Sequence, residues 1–364
     1  MKIGIISHLK YPIKEPFAGG LEMHTYALAD GLIQRGHQVR VFAPADSDEC
    51  LNIEPMRLSA LDYESYRDRE PNVEYFSEQF VQEHHAYMDL MSRLVDEEFD
   101  VIQNNSLNYI PVSMSNTISA PMVTTLHTPP ITWLQSAVKC ERRHGKMRYV
   151  TVSGQNAKAW QSLVSVDQVI HNGINLDKWR FSPRADTGLA VWFGRITPEK
   201  GTHLAIQAAH HAGLRLWLAG PICDQEYFDE HVAPLLNPQD KYLGHLSHRE
   251  LIDVIGMGSV FLCTPCWEEP YGLVVAEALA CGTPVAAFRR GAMSEIITEE
   301  TGRLATPNDI ESLAQAAIEA TQLDRKACRQ RAENFCSMQH MVDQYVDLYT
   351  SLTNPIEMIC QTAV

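Results

Sequence analysis

Residues 260–284 read Val260-Phe-Leu-Cys-Thr264-Pro-Cys-Trp267-Glu-Glu269-Pro-Tyr271-Gly272-Leu-Val-Val-Ala-Glu277-Ala-Leu-Ala-Cys-Gly282-Thr-Pro284. A short apolar run, Val260 to Thr264, is followed by a turn through Pro270 and Gly272 and then by apolar residues at helical spacing. A second apolar run, Pro284 to Phe288, comes next. Strand, helix and strand in this order make a parallel pair, because parallel strands need a long crossover. Working outward, the alternation recurs in two series. The first predicts strands at Lys2 to Ser7, Gln38 to Ala43, Val101 to Asn104, Met122 to His127, Tyr149 to Ser153 and Gln168 to His171. The second adds Ala190 to Phe193, Arg215 to Ala219 and Tyr242 to Gly244 to the two runs already named. Two series predict two α/β domains, with a polar, aperiodic linker over 174–188. The expected division is 1–173, the linker, 189–338, and a C-terminal helix and tail over 339–364.

The 364 residues suffice for two domains and a large core. With 30 Lys+Arg against 45 Asp+Glu, the net charge of -15 argues against nucleic acid or an anionic membrane as the main partner. The imbalance is local: Asp46 to Asp100 holds 16 acids and 4 bases. Such a run is ordinarily a solvated face. Nine cysteines, an odd number, cannot all pair, which fits a reducing compartment. The N-terminal apolar stretch is broken by His8 and Lys10, too short for a signal-peptide core, and no run reaches membrane-span length. A soluble, cytoplasmic chain is expected.

Several signatures fail on context. No GxxxxGK[ST] occurs, and Gly256-Met-Gly258 lacks a third glycine and precedes a strand. Cys263-Thr-Pro-Cys266 has no second CxxC for a zinc ribbon and lies deep in a long βα chain, unlike a small redox domain. His84-His85, His210-His211, and His245 with His248 lack a further ligand at metal spacing. Asp46-Ser-Asp48 is a triplet that arises by chance in an acidic chain.

Four segments remain. Phe17-Ala-Gly19-Gly20-Leu-Glu22 follows the first strand and opens a helix, where paired glycines let backbone N–H groups approach an anion; an ordinary glycine turn is the plainer reading. Phe193-Gly-Arg195-Ile-Thr-Pro-Glu-Lys200-Gly201 sets two cations beside a helix start, a site for a diphosphate without a metal, against the alternative of surface cations. In the opening stretch Glu269 and Glu277 can face one cleft, with the N–H groups of Gly272, Leu273 and Val274 between them. Carboxylates suit sugar hydroxyls and amides suit phosphate. Thr124-Thr-Leu-His127 ends a strand in an imidazole, which could equally be a packed core histidine.

With these residues in view, the chain resembles the retaining glycosyltransferases of family 4 over essentially its whole length. Glu269-x7-Glu277 followed by Ala-Leu-Ala-Cys-Gly-Thr-Pro-Val is the most specific match. Gly19-Gly20-Leu-Glu, Gly-Arg195-x4-Lys200-Gly and Val169-Ile-His-Asn-Gly-Ile support it. The resemblance implies the GT-B fold: two Rossmann-like α/β domains with parallel sheets facing across a cleft, and a C-terminal helix crossing back to the first domain. It implies that Arg195 and Lys200 neutralise the donor diphosphate, that Glu277 holds ribose hydroxyls and that Glu269 contacts the transferred hexose. The segment Tyr271, Gly272, Leu273 and Val274 would lie along sugar and diphosphate, Gly19 and Gly20 would close over the diphosphate, and His127 would orient the sugar. Ser153 and Asn172 match weaker parts of the pattern. Tyr271 departs from the Phe of many relatives, and Cys263 to Cys266 from small polar residues.

The implied reaction moves a hexose from a nucleotide diphosphate sugar to an acceptor hydroxyl with retention of configuration, with no metal ion and no cofactor, the nucleotide sugar being a substrate. UDP-glucose is the first choice of donor, with GDP-mannose and UDP-GlcNAc as the others. The acidic first half favours a soluble, neutral or cationic acceptor over an anionic lipid. A lipid-linked saccharide acceptor, a non-catalytic nucleotide-sugar binding protein, and a phosphorylase or hydrolase of similar fold are the competing readings.

Overall fold

The computed structural model describes residues 1–58, 77–141 and 147–353. Two compact units emerge. The first gathers Met1–Thr151, Ala157–Val169 and the chain from Val342 onward; the second gathers Val152–Asn156 and Ile170–Met341. About a third of the acidic run falls on residues 59–76, outside the described residues, as does the tail beyond residue 353.

The first unit is built on seven strands: β1 (Lys2–Ile6), β2 (Gln38–Ala43), β3 (Ile53–Pro55), β4 (Val101–Asn104), β5 (Met122–Leu126), β6 (Met147–Thr151) and β7 (Gln168–Val169). They lie in the order β3-β2-β1-β4-β5-β6-β7, every pair parallel. Helices covering both faces explain why strands such as Lys-Ile-Gly-Ile-Ile are apolar without alternation. The helix Glu78–Leu94 shows how sequence places these covers. Ser77 Oγ caps it by accepting from Phe80 N at 3.2 Å, and Ala86, Tyr87, Leu90, Met91 and Leu94 bury one face.

The helix Met338–Thr353 joins this unit from Val342 on. Gly31 makes room for it: a Cβ there would lie 2.6 Å from Val342 Cγ2. Arg35 donates two hydrogen bonds to Asp343 Oδ1, at 3.0 and 2.6 Å. Deeper in, Tyr345 OH and Thr125 Oγ1 share a 2.9 Å hydrogen bond, and Tyr349 OH donates to Gln103 Oε1 at 2.7 Å.

The second unit has six strands: β8 (Leu189–Phe193), β9 (Arg215–Ala219), β10 (Lys241–Tyr242), β11 (Val260–Cys263), β12 (Val285–Phe288) and β13 (Gly302–Ala305). Their order is β10-β9-β8-β11-β12-β13, again all parallel. The strand order reverses between β8 and β11, and ligands of such sheets sit outside the carboxyl ends of the strands at that point. Loops after β8 and β11 carry Arg195, Lys200 and Glu269. The polar stretch 174–188 packs with this unit: Trp179 is buried and its carbonyl accepts from Arg329 Nη1 at 2.6 Å. Among the described residues, no helix is long and apolar enough to cross a membrane.

Candidate functional site

In the second unit the chain leaves β8 at Phe193, makes a short 3₁₀ turn at Pro198–Lys200 and enters the helix Thr202–His211 through Gly201. Lys200 Nζ donates to Glu269 Oε2 at 2.6 Å, and Trp267 Nε1 donates to the same oxygen at 2.9 Å. Lys200 also stands 5.6 Å from the centre of the Trp267 ring. The lysine and glutamate side chains are only 23% and 15% exposed, so this pair is far less screened than a surface ion pair. Thr264 Oγ1 holds the backbone beneath, donating to Lys200 O at 2.9 Å. Arg195 is less committed: its one ion pair among the described residues, to Glu199 at 3.9 Å, is exposed and contributes little.

The loop carrying Glu269 is anchored by backbone. Ala292 N donates to Glu269 O at 3.0 Å, and Gly291 N donates to Glu268 Oε2 at 2.7 Å. Gly291 sits at φ 54° with the Glu269 carbonyl only 2.0 Å from where a Cβ would stand. Gly272, at φ 99°, is the N-cap of the helix Leu273–Ala280 and offers it no side-chain cap. The first-turn N–H groups of that helix, with its positive end, are therefore available to an anion. Glu277 lies further along the same helix, buried, and among the described residues no hydrogen bond or ion pair reaches its carboxyl. Burial pushes that carboxyl up to about 8. An ionisable acceptor without a protein donor is what a pair of ligand hydroxyls would complete.

Leu273 and Val274 are half-buried at the helix start, whereas the Tyr271 side chain turns inward, its ring 6.1 Å from that of His171. Only the backbone of Tyr271 is left to meet a ligand. Ser153 Oγ accepts from Asn156 N at 3.1 Å, and Asn172 is buried. The Cys263 thiol is buried and pushed up to about 12, by burial first and by Glu269 second, the reverse of what thiolate chemistry requires. Among the described residues no three His, Cys, Asp or Glu side chains form a metal-binding group.

In the first unit, Gly19 is the N-cap of the helix Gly20–Gln34 and supplies no side-chain cap, so this helix also opens with unpaired N–H groups. Glu22 is buried against His8. The Lys10 N–H donates to His8 Nδ1 at 3.0 Å, which leaves His8 Nε2 as the nitrogen that donates a hydrogen bond to Glu22 Oε1. His127, at the end of β5, is 9% exposed. Its Nε2 is 3.2 Å from Asn105 Oδ1, which also accepts from Gln103 Nε2 at 2.8 Å. With an acceptor facing Nε2, His127 holds its proton there and keeps a lone pair on Nδ1. Burial, then the neighbouring His24 and His8, holds its pKa well below the usual imidazole range, so it is neutral. The His24 ring lies 4.7 Å away. Asn105, His8, His24 and Trp267 escaped the sequence reading. Trp267 stood in the quoted motif, whereas the others are brought together only by the sheet.

Two family models match the chain: "Glycosyltransferase Family 4" over residues 18–178 and "Glycosyl transferases group 1" over residues 175–335. A glycogen synthase of Mycobacterium tuberculosis is 33% identical over 174 residues, 45% of this chain and 42% of that enzyme, so the match spans under half of its length. The phosphatidyl-myo-inositol mannosyltransferase of Mycobacterium leprae is 27% identical over 341 residues, 87% of each chain. Among solved structures, HepE of Anabaena in complex with UDP and glucose superposes with a TM-score of 0.74 at 18% identity, covering 96% of this chain and 100% of that one. Sucrose-phosphate synthase of Thermosynechococcus elongatus gives 0.74 at 21% identity, covering 96% and 98%. The two parallel-sheet units have the GT-B fold. With its first part matching the one model and its second the other, the chain belongs to the family 4, group 1 glycosyltransferases.

Proposed function

We propose that this glycosyltransferase moves a hexose from a nucleotide diphosphate sugar, UDP-glucose first, to a hydroxyl of a soluble small-molecule or saccharide acceptor, with retention of configuration and without a metal ion. The observation that carries the reading is the grouping of Lys200, Glu269 and Trp267 in one hydrogen-bonded set after β8 and β11. Lys200, Arg195 and the start of the helix Leu273–Ala280 supply fixed positive charge for a departing diphosphate, stabilisation that needs no reorganisation during the reaction. Glu269 is held by two donors and keeps lone pairs for hexose hydroxyls. Glu277 accepts from the ribose. His127, neutral with a lone pair on Nδ1, orients the transferred sugar, and Gly19 and Gly20 meet the diphosphate with their N–H groups. Retention follows if the acceptor attacks the face the diphosphate leaves and a donor phosphate oxygen takes its proton.

The UDP and glucose bound by HepE support this choice of donor. A second reading, a lipid-linked acceptor, is favoured by the mannosyltransferase relative, whose name specifies phosphatidyl-myo-inositol. Thermal unfolding with a panel of UDP- and GDP-sugars tests the donor. A ligand at a hundred times its Kd stabilises by about 2.7 kcal/mol. No shift with any nucleotide sugar would overturn the reading, and turnover only on anionic lipid vesicles would replace the soluble acceptor with the second one.

A further inference from the structure

A pocket of about 590 Å³ opens in the first unit, remote in sequence from the glycine turn and lined by Phe80, His84, His85, Tyr109, Trp133 and Ser136, among others. Nothing in the donor chemistry above uses it. Half of its described lining residues carry rings. Tyr109 and Trp133 stack with centroids 6.2 Å apart at 28°, Phe80 lies 5.7 Å from Trp133, and His84 stacks on Phe80 at 6.3 Å and 28°. Tyr109 OH and His84 Nδ1 share a 2.7 Å hydrogen bond that sets both rings. Trp133, at 57% exposure, is the most exposed large apolar side chain among the described residues.

Two features identify the occupant. No Asp, Glu, Lys or Arg is among the described lining residues, although the chain carries a net charge of -15. Among the described residues a charged ligand would therefore find no partner in the lining. The aliphatic contribution is only Val81 and Ala137, which is poor for an acyl chain, whereas flat faces edged by imidazoles and hydroxyls suit a ring with an apolar face and a polar rim. Position gives a third. Tyr109 follows Asn105 by four residues and Trp133 follows His127 by six, so their Cα atoms lie at most about 14 Å and about 22 Å from those two. Asn105 and His127 are themselves hydrogen-bonded at the carboxyl ends of β4 and β5.

We propose that this pocket is the acceptor subsite and binds a neutral pyranoside, whose ring stacks on Trp133 and Tyr109. The assignment rests on the glycosyltransferase reading and gives its acceptor a chemical class. Saturation-transfer NMR on the full chain, titrated with methyl glucoside, methyl mannoside and methyl galactoside, should show saturable binding of at least one. W133L keeps apolar volume without a flat face and should weaken that binding at least tenfold. W133F restores a face and should stay within about threefold of wild type. Because Trp133 is exposed, both variants should retain the wild-type circular dichroism.

Absence of saturable binding by any of the three glycosides overturns the proposal. So does equal binding by W133L, or saturable binding of decanoate with none of the sugars, which would assign the pocket to an acyl chain. The nucleotide-sugar thermal shift, run on the same protein, separates the two levels. A shift without glycoside binding removes the pocket alone, and glycoside binding without a shift removes the donor assignment.

Discussion

If Glu277 takes the ribose as proposed, nucleotide-sugar affinity should depend on pH. The Glu277 carboxyl sits at about 8 because burial penalises its charge and no protein donor compensates. Only about a tenth of the free protein then carries an ionised Glu277 at pH 7, and about a hundredth at pH 6. Ribose hydroxyls donate best to the carboxylate, so the apparent Kd is the intrinsic value divided by the ionised fraction. From pH 6 to pH 8 that fraction rises by more than an order of magnitude, a gain of about 2 kcal/mol in binding free energy. The donor diphosphate, esterified at both ends, has no proton to exchange in this range, and His127 is neutral throughout it. Calorimetric titration of UDP-glucose at constant ionic strength between pH 6 and 8.5 should show the Kd falling about tenfold per unit and levelling above pH 8. E277Q should bind weakly and without pH dependence. A wild-type Kd flat across the range, or an E277Q slope parallel to wild type, would refute the role of Glu277.

The same group should shape stability without ligand. The unfolded carboxyl loses its proton near 4.5 while the folded one keeps it to about 8, so the fold loses stability as pH rises between those values. E277Q removes this loss, and the difference in unfolding free energy between variant and wild type, read from urea titrations, should move in the variant's favour by about 2–3 kcal/mol from pH 5 to pH 7. For Lys200→Ala, the transfer rate should fall by about 10² to 10³ with circular dichroism unchanged; an active variant sinks the diphosphate role. Gly291→Ala would drive a Cβ into the Glu269 carbonyl at positive φ, and should cost about 2 kcal/mol or more in thermal stability and weaken donor binding. His127 stays neutral in the fold while an unfolded imidazole protonates below about 6.5. Stability should therefore fall as pH drops below that value, and H127Q should show a shallower acid limb in denaturant titrations.

The interior strands were legible because both faces are buried. Gln38–Ala43, Val101–Asn104 and Arg215–Ala219 lie where their apolar runs predicted. The edge strands β3 and β13 were not, since Ile-Glu-Pro and Gly-Arg-Leu-Ala are short and half polar, with pairing on one side only. β6 begins at Met147 rather than Tyr149 because Met147 and Arg148 pair with Met122 and Val123, a register no local pattern displays. In the second unit, Lys200 and Glu269 were readable from a linear motif, but the hydrogen bond joining them spans 69 residues and depends on β8 and β11 being neighbours. The His8, Glu22, His24, Asn105 and His127 cluster draws on four segments that no spacing rule links. Tyr271 is a motif residue whose side chain is buried beside His171, a placement the linear motif does not display.

The docking of the Met338–Thr353 helix has a consequence for biosynthesis. Gln103 and Thr125 are buried near the centre of the first sheet, and Tyr349 and Tyr345 are the hydroxyls that meet them. Until that helix leaves the ribosome, Gln103 and Thr125 lack these two hydroxyls and Gly31 lacks its contact with Val342. The domain begun first is thus finished last: its seven strands end at Val169, and the nascent chain carries that sheet without its last helix while the second unit is translated.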